Sequence, residues 1–234
     1  MKQVFGWVLL SVLGLSAMMA SAQCSEFKVR AEGSNKEAFI PEAYVYIDSA
    51  KSDFNQDGLV DLALVFALKN NQTAEESWKS DCQRGLLVLE RTQQGYKTSG
   101  FTLEGVLCSG CGGVFGDPYA GMEFNKNVLK VKHFGGSNWK WTQDYTFRFQ
   151  NNRWELIGLT HDNFFGAKQC NTEFGMAGRT LNDVNFSTGK QHVVRTKDMN
   201  CIPYKDQWLK FVKSKPITLN QFRVLNDYVP LKVK

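Results

Sequence analysis

Trp141-Thr142-Gln143-Asp144-Tyr145-Thr146-Phe147-Arg148-Phe149-Gln150-Asn151-Asn152-Arg153-Trp154-Glu155-Leu156-Ile157-Gly158-Leu159-Thr160 is the stretch on which the fold turns. Tyr145, Phe147 and Phe149 recur at every second position with Thr146 and Arg148 between them. That is the period of a β-strand whose one face packs inward while the other meets water. Asn151-Asn152 interrupts the alternation with two residues that tolerate the positive φ of a tight hairpin turn, and a second apolar run follows. The direct prediction is a hairpin of strands at 141–150 and 153–160.

The same punctuation extends outward on the N-terminal side. Asn125-Lys126-Asn127 separates strand-like runs at 121–125 and 128–134, so a second sheet of four strands occupies about 120–160. Further upstream, β-branched and apolar runs at 43–48, 62–68, 85–91 and 96–103 make a first sheet over about 43–103, with residues 69–83 as a polar connection. The expected fold is mainly β: two antiparallel four-stranded sheets, arranged as a propeller-like blade or as a sandwich, with few helices. Beyond Phe164 the pattern weakens. Residues 161–234 read as a loop-rich part held by Cys170 and Cys201, with a strand at 191–196. A helix is expected over 204–213, where Trp208, Leu209, Phe211 and Val212 would form a partly apolar face.

The N-terminus reads as an export signal. Met1-Lys2-Gln3 carries one positive charge, and the apolar run over 4–19 is shorter than the about 20 residues a membrane span needs. Ala20-Ser21-Ala22 supplies the small-x-small pattern of a cleavage site, so residues 1–22 are a signal peptide and 23–234 a single β-rich domain. Gln23 before Cys24 argues against a lipoprotein, whose cysteine follows a small residue. The expected location is the periplasm or the exterior, with no membrane span after cleavage. Six cysteines remain, Cys24, Cys82, Cys108, Cys111, Cys170 and Cys201, an even set that reads as disulfides with the pairing left open. Cys108 and Cys111 are spaced as Cys-x-x-Cys. Gly112-Gly113 and Asp117-Pro118 break the helix that a redox dithiol needs, so pairing with each other or with Cys82 is the structural reading. The net charge of +5 is spread over scattered lysines without a recognition helix or zinc-finger spacing, which points away from nucleic acid.

One segment carries specific chemistry. Asp53-Phe54-Asn55-Gln56-Asp57-Gly58-Leu59-Val60-Asp61 sets side-chain oxygens at loop positions 1, 3, 5 and 9 and a glycine at position 6. A tight loop brings alternate side chains inward, position 7 offers its carbonyl, and the glycine takes the sharp turn. Asp53, Asn55, Asp57, Asp61 and the Leu59 carbonyl would then hold a hard cation, calcium rather than magnesium, in a structural role. Leu64 stands where an EF-hand places its bidentate Glu, and strand-like runs flank the loop, so an EF-hand is excluded. The plain alternative is a surface turn without metal.

These residues resemble the calcium-binding segment of FG-GAP (integrin-α-type) and VCBS repeats, Asp-x-Asn-x-Asp-Gly-x-x-Asp followed by a short apolar strand. The resemblance implies calcium held by Asp53, Asn55, Asp57 and Asp61, and a blade-like sheet. Only one such loop is present, whereas a full propeller would carry several.

Trp139, Trp141 and Tyr145 fall on one face of an extended stretch, either as core or as an aromatic platform for a protein or glycan. His133, His161 and His192 stand apart in sequence without a nucleophile signature. A hydrolase would have to use His133 or His161 with Asp117 or Asp162. The expected function is therefore a calcium-stabilised exported binding protein without catalytic activity, with an envelope inhibitor or immunity-type protein and a hydrolase as alternatives. The sequence leaves the oligomeric state open.

Overall fold

The computed structural model describes residues 28–69, 82–171 and 175–224. The expected signal peptide at 1–22, Cys24 and most of the polar connection at 69–83 lie outside the described residues. Among the described residues twelve strands follow in order. They are β1 Glu32–Gly33, β2 Tyr44–Ser52, β3 Asp61–Leu68, β4 Arg84–Thr92, β5 Gly95–Val106 and β6 Tyr119–Asn125. Then come β7 Val128–Gly136, β8 Trp139–Gln150, β9 Arg153–Gln169, β10 Met176–Asn185, β11 Lys190–Thr196 and β12 Pro203–Lys210. They form two open antiparallel sheets, five strands in the order β1-β5-β4-β3-β2 and seven in the order β12-β11-β10-β9-β8-β7-β6. Among the described residues no helix is long and apolar enough to cross a membrane.

The central hairpin forms as its sequence dictates. Gln150 pairs with Arg153, and Asn151 and Asn152 take φ of 52° and 57°. At the β6–β7 turn the positive-φ residue is Lys126, at 49°, with Asn125 opposite Val128. β3 is apolar on both faces because it is buried on both. Ala63 and Val65 face the seven-stranded sheet, while Leu62, Leu64 and Phe66 face an outer layer with Phe39 and Ile40.

Three expectations are corrected. The sheets hold five and seven strands, not four each. The first gains the two-residue β1, which adds to β5 at Tyr96 and Lys97. The second gains β10, β11 and β12, so most of the region expected to be loop-rich is sheet. His161, Asp162 and Asn163 continue β9 past the point where apolar alternation stops, so this part of the sheet carries no period-two signal. The helix expected at 204–213 is β12. Leu209 and Phe211 turn toward the protein while Tyr204 and Trp208 turn outward, so apolar residues on both faces imitate a helical stripe.

Cys170 pairs with Cys201, tying the β9–β10 connection to the β11–β12 loop. Cys108 pairs with Cys111, which rules out its pairing with Cys82; Cys82 is itself buried and disulfide-bonded. After β12 the chain returns across both sheets. Leu156 N–H donates to Ile217 O at 2.9 Å, Thr102 Oγ1 donates to Phe222 O at 2.9 Å, and Val224 N–H donates to Glu104 O at 2.7 Å. Leu219, Phe222 and Val224 fill the space between the sheets, so this segment clasps the sandwich shut.

Candidate functional site

The acidic loop connects β2 to β3, with Ser52 opposite Asp61 at its base. Its strand flanks are those expected. Gly58 sits at φ 85° with open space around it, and Gln56 at φ 61° makes a second left-handed turn. The carboxylates organise the backbone. Asp53 accepts from the N–H groups of Asp57 at 3.1 Å and Gly58 at 2.9 Å, and Asp57 accepts from Leu59 N–H at 2.8 Å. Asn55 accepts from Asp57 N–H at 3.2 Å, and its amide donates to the Asp57 carboxylate at 3.0 Å.

Asp61 is wholly buried, accepting from Phe54 N–H at 2.9 Å and from Arg91 N–H of β4 at 2.7 Å. Burial raises its pKa, the two backbone hydrogen bonds lower it, and the charges of Asp57 and Asp53 raise it further. The donor set is all oxygen and suits a hard cation, which would relieve that mutual repulsion. Among the described residues, however, no three acidic, histidine or cysteine side chains are gathered as a ready metal centre. Sequence reasoning missed Phe54. Its buried ring lies 4.6 Å from Phe149 and 5.1 Å from Trp154, anchoring the loop in the main core. An apolar residue between two ligand positions was the available signal.

The groups weighed for hydrolysis, His133, Asp117 and Asp162, are held by other partners. His133 is buried, its Nδ1–H donating to Gln143 O at 2.9 Å and its Nε2 accepting from Leu107 N–H at 3.3 Å. Both nitrogens thus serve the backbone. Asp117 is clamped by both terminal nitrogens of the buried Arg84, whose Nε donates to Leu107 O at 2.6 Å. Asp162 is held by Arg179 at 2.8 Å, on the opposite face of β9 from its neighbour His161. Burial lowers the pKa of His133, to about 4, and that of His161.

Trp139, Trp141 and Tyr145 share a face of β8 as expected, but their burial grades along it. Tyr145 is fully buried, Trp141 packs at the core's margin, and Trp139 is exposed beside Phe165, ring centroids 5.5 Å apart. Near Trp139, the tight turn after the Cys108–Cys111 disulfide exposes Val114 and Phe115. This turn is braced by Gly112 N–H to Gly116 O at 2.8 Å and Val114 N–H to Gly136 O at 3.0 Å, with Lys140 over the Phe115 ring. No family model, curated protein or solved structure matches the chain, so the likeness to FG-GAP repeats rests on the loop alone.

Two outcomes follow from this geometry. Asp61→Asn, measured by urea unfolding in EDTA, should cost roughly 1.5–3 kcal/mol, since an amide nitrogen replaces an oxygen facing a buried N–H. An unchanged midpoint would remove the structural role given to Asp61. Second, His133 stays neutral in the fold to about pH 4 while the unfolded chain takes up a proton near 6.5. Its contribution is therefore complete above pH 6.5 and is lost as pH falls toward 4, roughly 3 kcal/mol in all. His133→Gln should flatten the fall in stability between those pH values; an identical slope counts against it.

Proposed function

We propose that this is an exported, calcium-stabilised protein that acts by binding a protein partner rather than by catalysis. The observation carrying this reading is a contrast between the two kinds of candidate site. Each histidine–aspartate pair considered for hydrolysis is committed elsewhere, His133 to backbone groups and Asp117 and Asp162 to arginines. Apolar side chains meanwhile protrude at the end of the seven-stranded sheet, with Val114 83% and Phe115 48% exposed. Aliphatic and aromatic groups together suit a protein surface better than the flat aromatic platform a glycan prefers. Calcium would bind at the open side of the β2–β3 loop, with Asp53, Asn55, Asp57 and the Leu59 carbonyl as ligands and Asp61 completing the set. Its chemistry there is charge neutralisation of crowded carboxylates. The disulfides support an oxidising compartment, the periplasm or the exterior.

The envelope-inhibitor reading is a special case favoured by one feature. Val114 and Phe115 sit on a short turn closed by a disulfide and braced by backbone hydrogen bonds, a preorganised tip of the kind that fills a partner's cleft at low entropic cost.

Calcium should raise the melting temperature of the mature protein above its value in EDTA, magnesium should do so far less, and Asp53→Ala with Asp57→Ala should abolish the effect. Equal melting in calcium and EDTA, from a sample verified metal-free, removes the metal from this reading. For the partner, affinity purification from envelope extracts should recover a stoichiometric protein with the wild type and lose it with Val114→Asp. Recovery unaffected by that substitution places the contact elsewhere.

A further inference from the structure

β12 is, among the described residues, an edge strand of the larger sheet, with an unusual pattern. Among the described residues β12 pairs with β11 alone, at Lys190↔Lys210 through Arg195↔Lys205. Phe211 N–H donates to Gly189 O at 2.9 Å. Because backbone groups alternate sides along a strand, residues 205, 207, 209 and 211 direct theirs at β11. Asp206, Trp208 and Lys210 direct theirs outward, at the free edge. The exposed large apolar side chains fall on even positions too, while Lys205 and Leu209 between them are half-buried. Tyr204 is 72%, Trp208 65% and Val212 94% exposed. His192 holds this arrangement in place, its ring stacked on Trp208 at 4.6 Å and its Nε2 2.6 Å from Asp206 Oδ1.

Natural sheets blunt their edges, and the other sheet here does so. β1 is two residues long, and β2 is bulged between Tyr46 and Asp48 and lies against β6, where Tyr119 O–H donates to Asp48 at 2.8 Å. Along β12 and the two residues after it the order is instead self-complementary when reversed: Tyr204, Asp206, Trp208, Lys210, Val212. An antiparallel second copy centred on Trp208 sets Asp206 against Lys210 of the partner subunit, twice by symmetry. It also sets the two Trp208 rings side by side and Tyr204 against Val212 of the partner subunit. All of these pairs join residues whose backbone groups face outward, as a hydrogen-bonded antiparallel pair requires. Among registers centred on an outward-facing residue, Asp206 or Lys210 at the centre would oppose like charges, and only the Trp208 centre sets Asp206 against Lys210 of the partner subunit.

We infer that β12 is the interface of a two-fold symmetric homodimer, in which two seven-stranded sheets join edge to edge through antiparallel β12 pairing. The interface is isologous and closed, so it produces dimers rather than fibres. It does not depend on calcium.

The test is sedimentation velocity of the mature protein, in EDTA, across a wide concentration range. The wild type should sediment as a dimer. Asp206→Lys, which sets Lys against Lys210 of the partner subunit, should give folded monomers by circular dichroism. The double exchange Asp206→Lys with Lys210→Asp should restore the dimer. Trp208→Cys should cross-link two chains under oxidation, because directly opposed residues of a hydrogen-bonded pair lie about 5.5 Å apart at Cα, within disulfide reach. A monomeric wild type, a dimer indifferent to Asp206→Lys, or a double exchange that stays monomeric overturns the inference.

Discussion

Face-to-face packing of the two sheets around one aromatic cluster is the constraint on which the rest depends. Trp154 of the larger sheet is buried against Phe54 and donates its indole N–H to Ser99 Oγ of the smaller sheet at 3.0 Å. Phe54 belongs to the acidic loop, so the contact that closes the core also fixes where that loop stands. Asp61 completes the link by joining Phe54 N–H to Arg91 N–H of β4. The loop is thus an extension of the core rather than an appendage, and a cation bound there would act on the packing of both sheets.

The two sheets differ in extent, and that difference divides the inner face of the larger one. Val131, Tyr145, Leu159 and Val184, aligned across β7 to β10, lie in the core. The neighbouring row is polar: Tyr119, His133, Gln143, His161 and Asn182. In it His133 is neutral and satisfied by backbone groups, and Gln143 donates to Tyr145 O–H at 2.7 Å. This row marks where apolar packing gives way to hydrogen bonding. Beyond it come Trp141 and Asn163, then Trp139 and Phe165 at the exposed end. The smooth grading of one β8 face, from buried Tyr145 to exposed Trp139, is the local expression of that overhang.

Sequence alone determined the β class, the β8–β9 hairpin with its Asn151-Asn152 turn, the strands that became β2 to β9 and β11, and the strand–loop–strand setting of Asp53 to Asp61. Each is a local pattern: a period of two, a residue that tolerates positive φ, a spacing of oxygens around a glycine. Tertiary structure decided what those patterns could not encode. Phe54 reads as a spacer between ligands until the core it enters exists. His133 and Asp117 read as catalytic candidates until Gln143 of the paired strand β8, Leu107 just beyond β5 and Arg84 of β4 reach them. β9 beyond Thr160 and β12 form in polar or two-sided apolar sequence because ladder hydrogen bonds from a neighbouring strand, more than an apolar face, hold them in place. Periodicity reports burial against a covering layer, and where the layer ends, strand and loop look alike until the sheet is assembled.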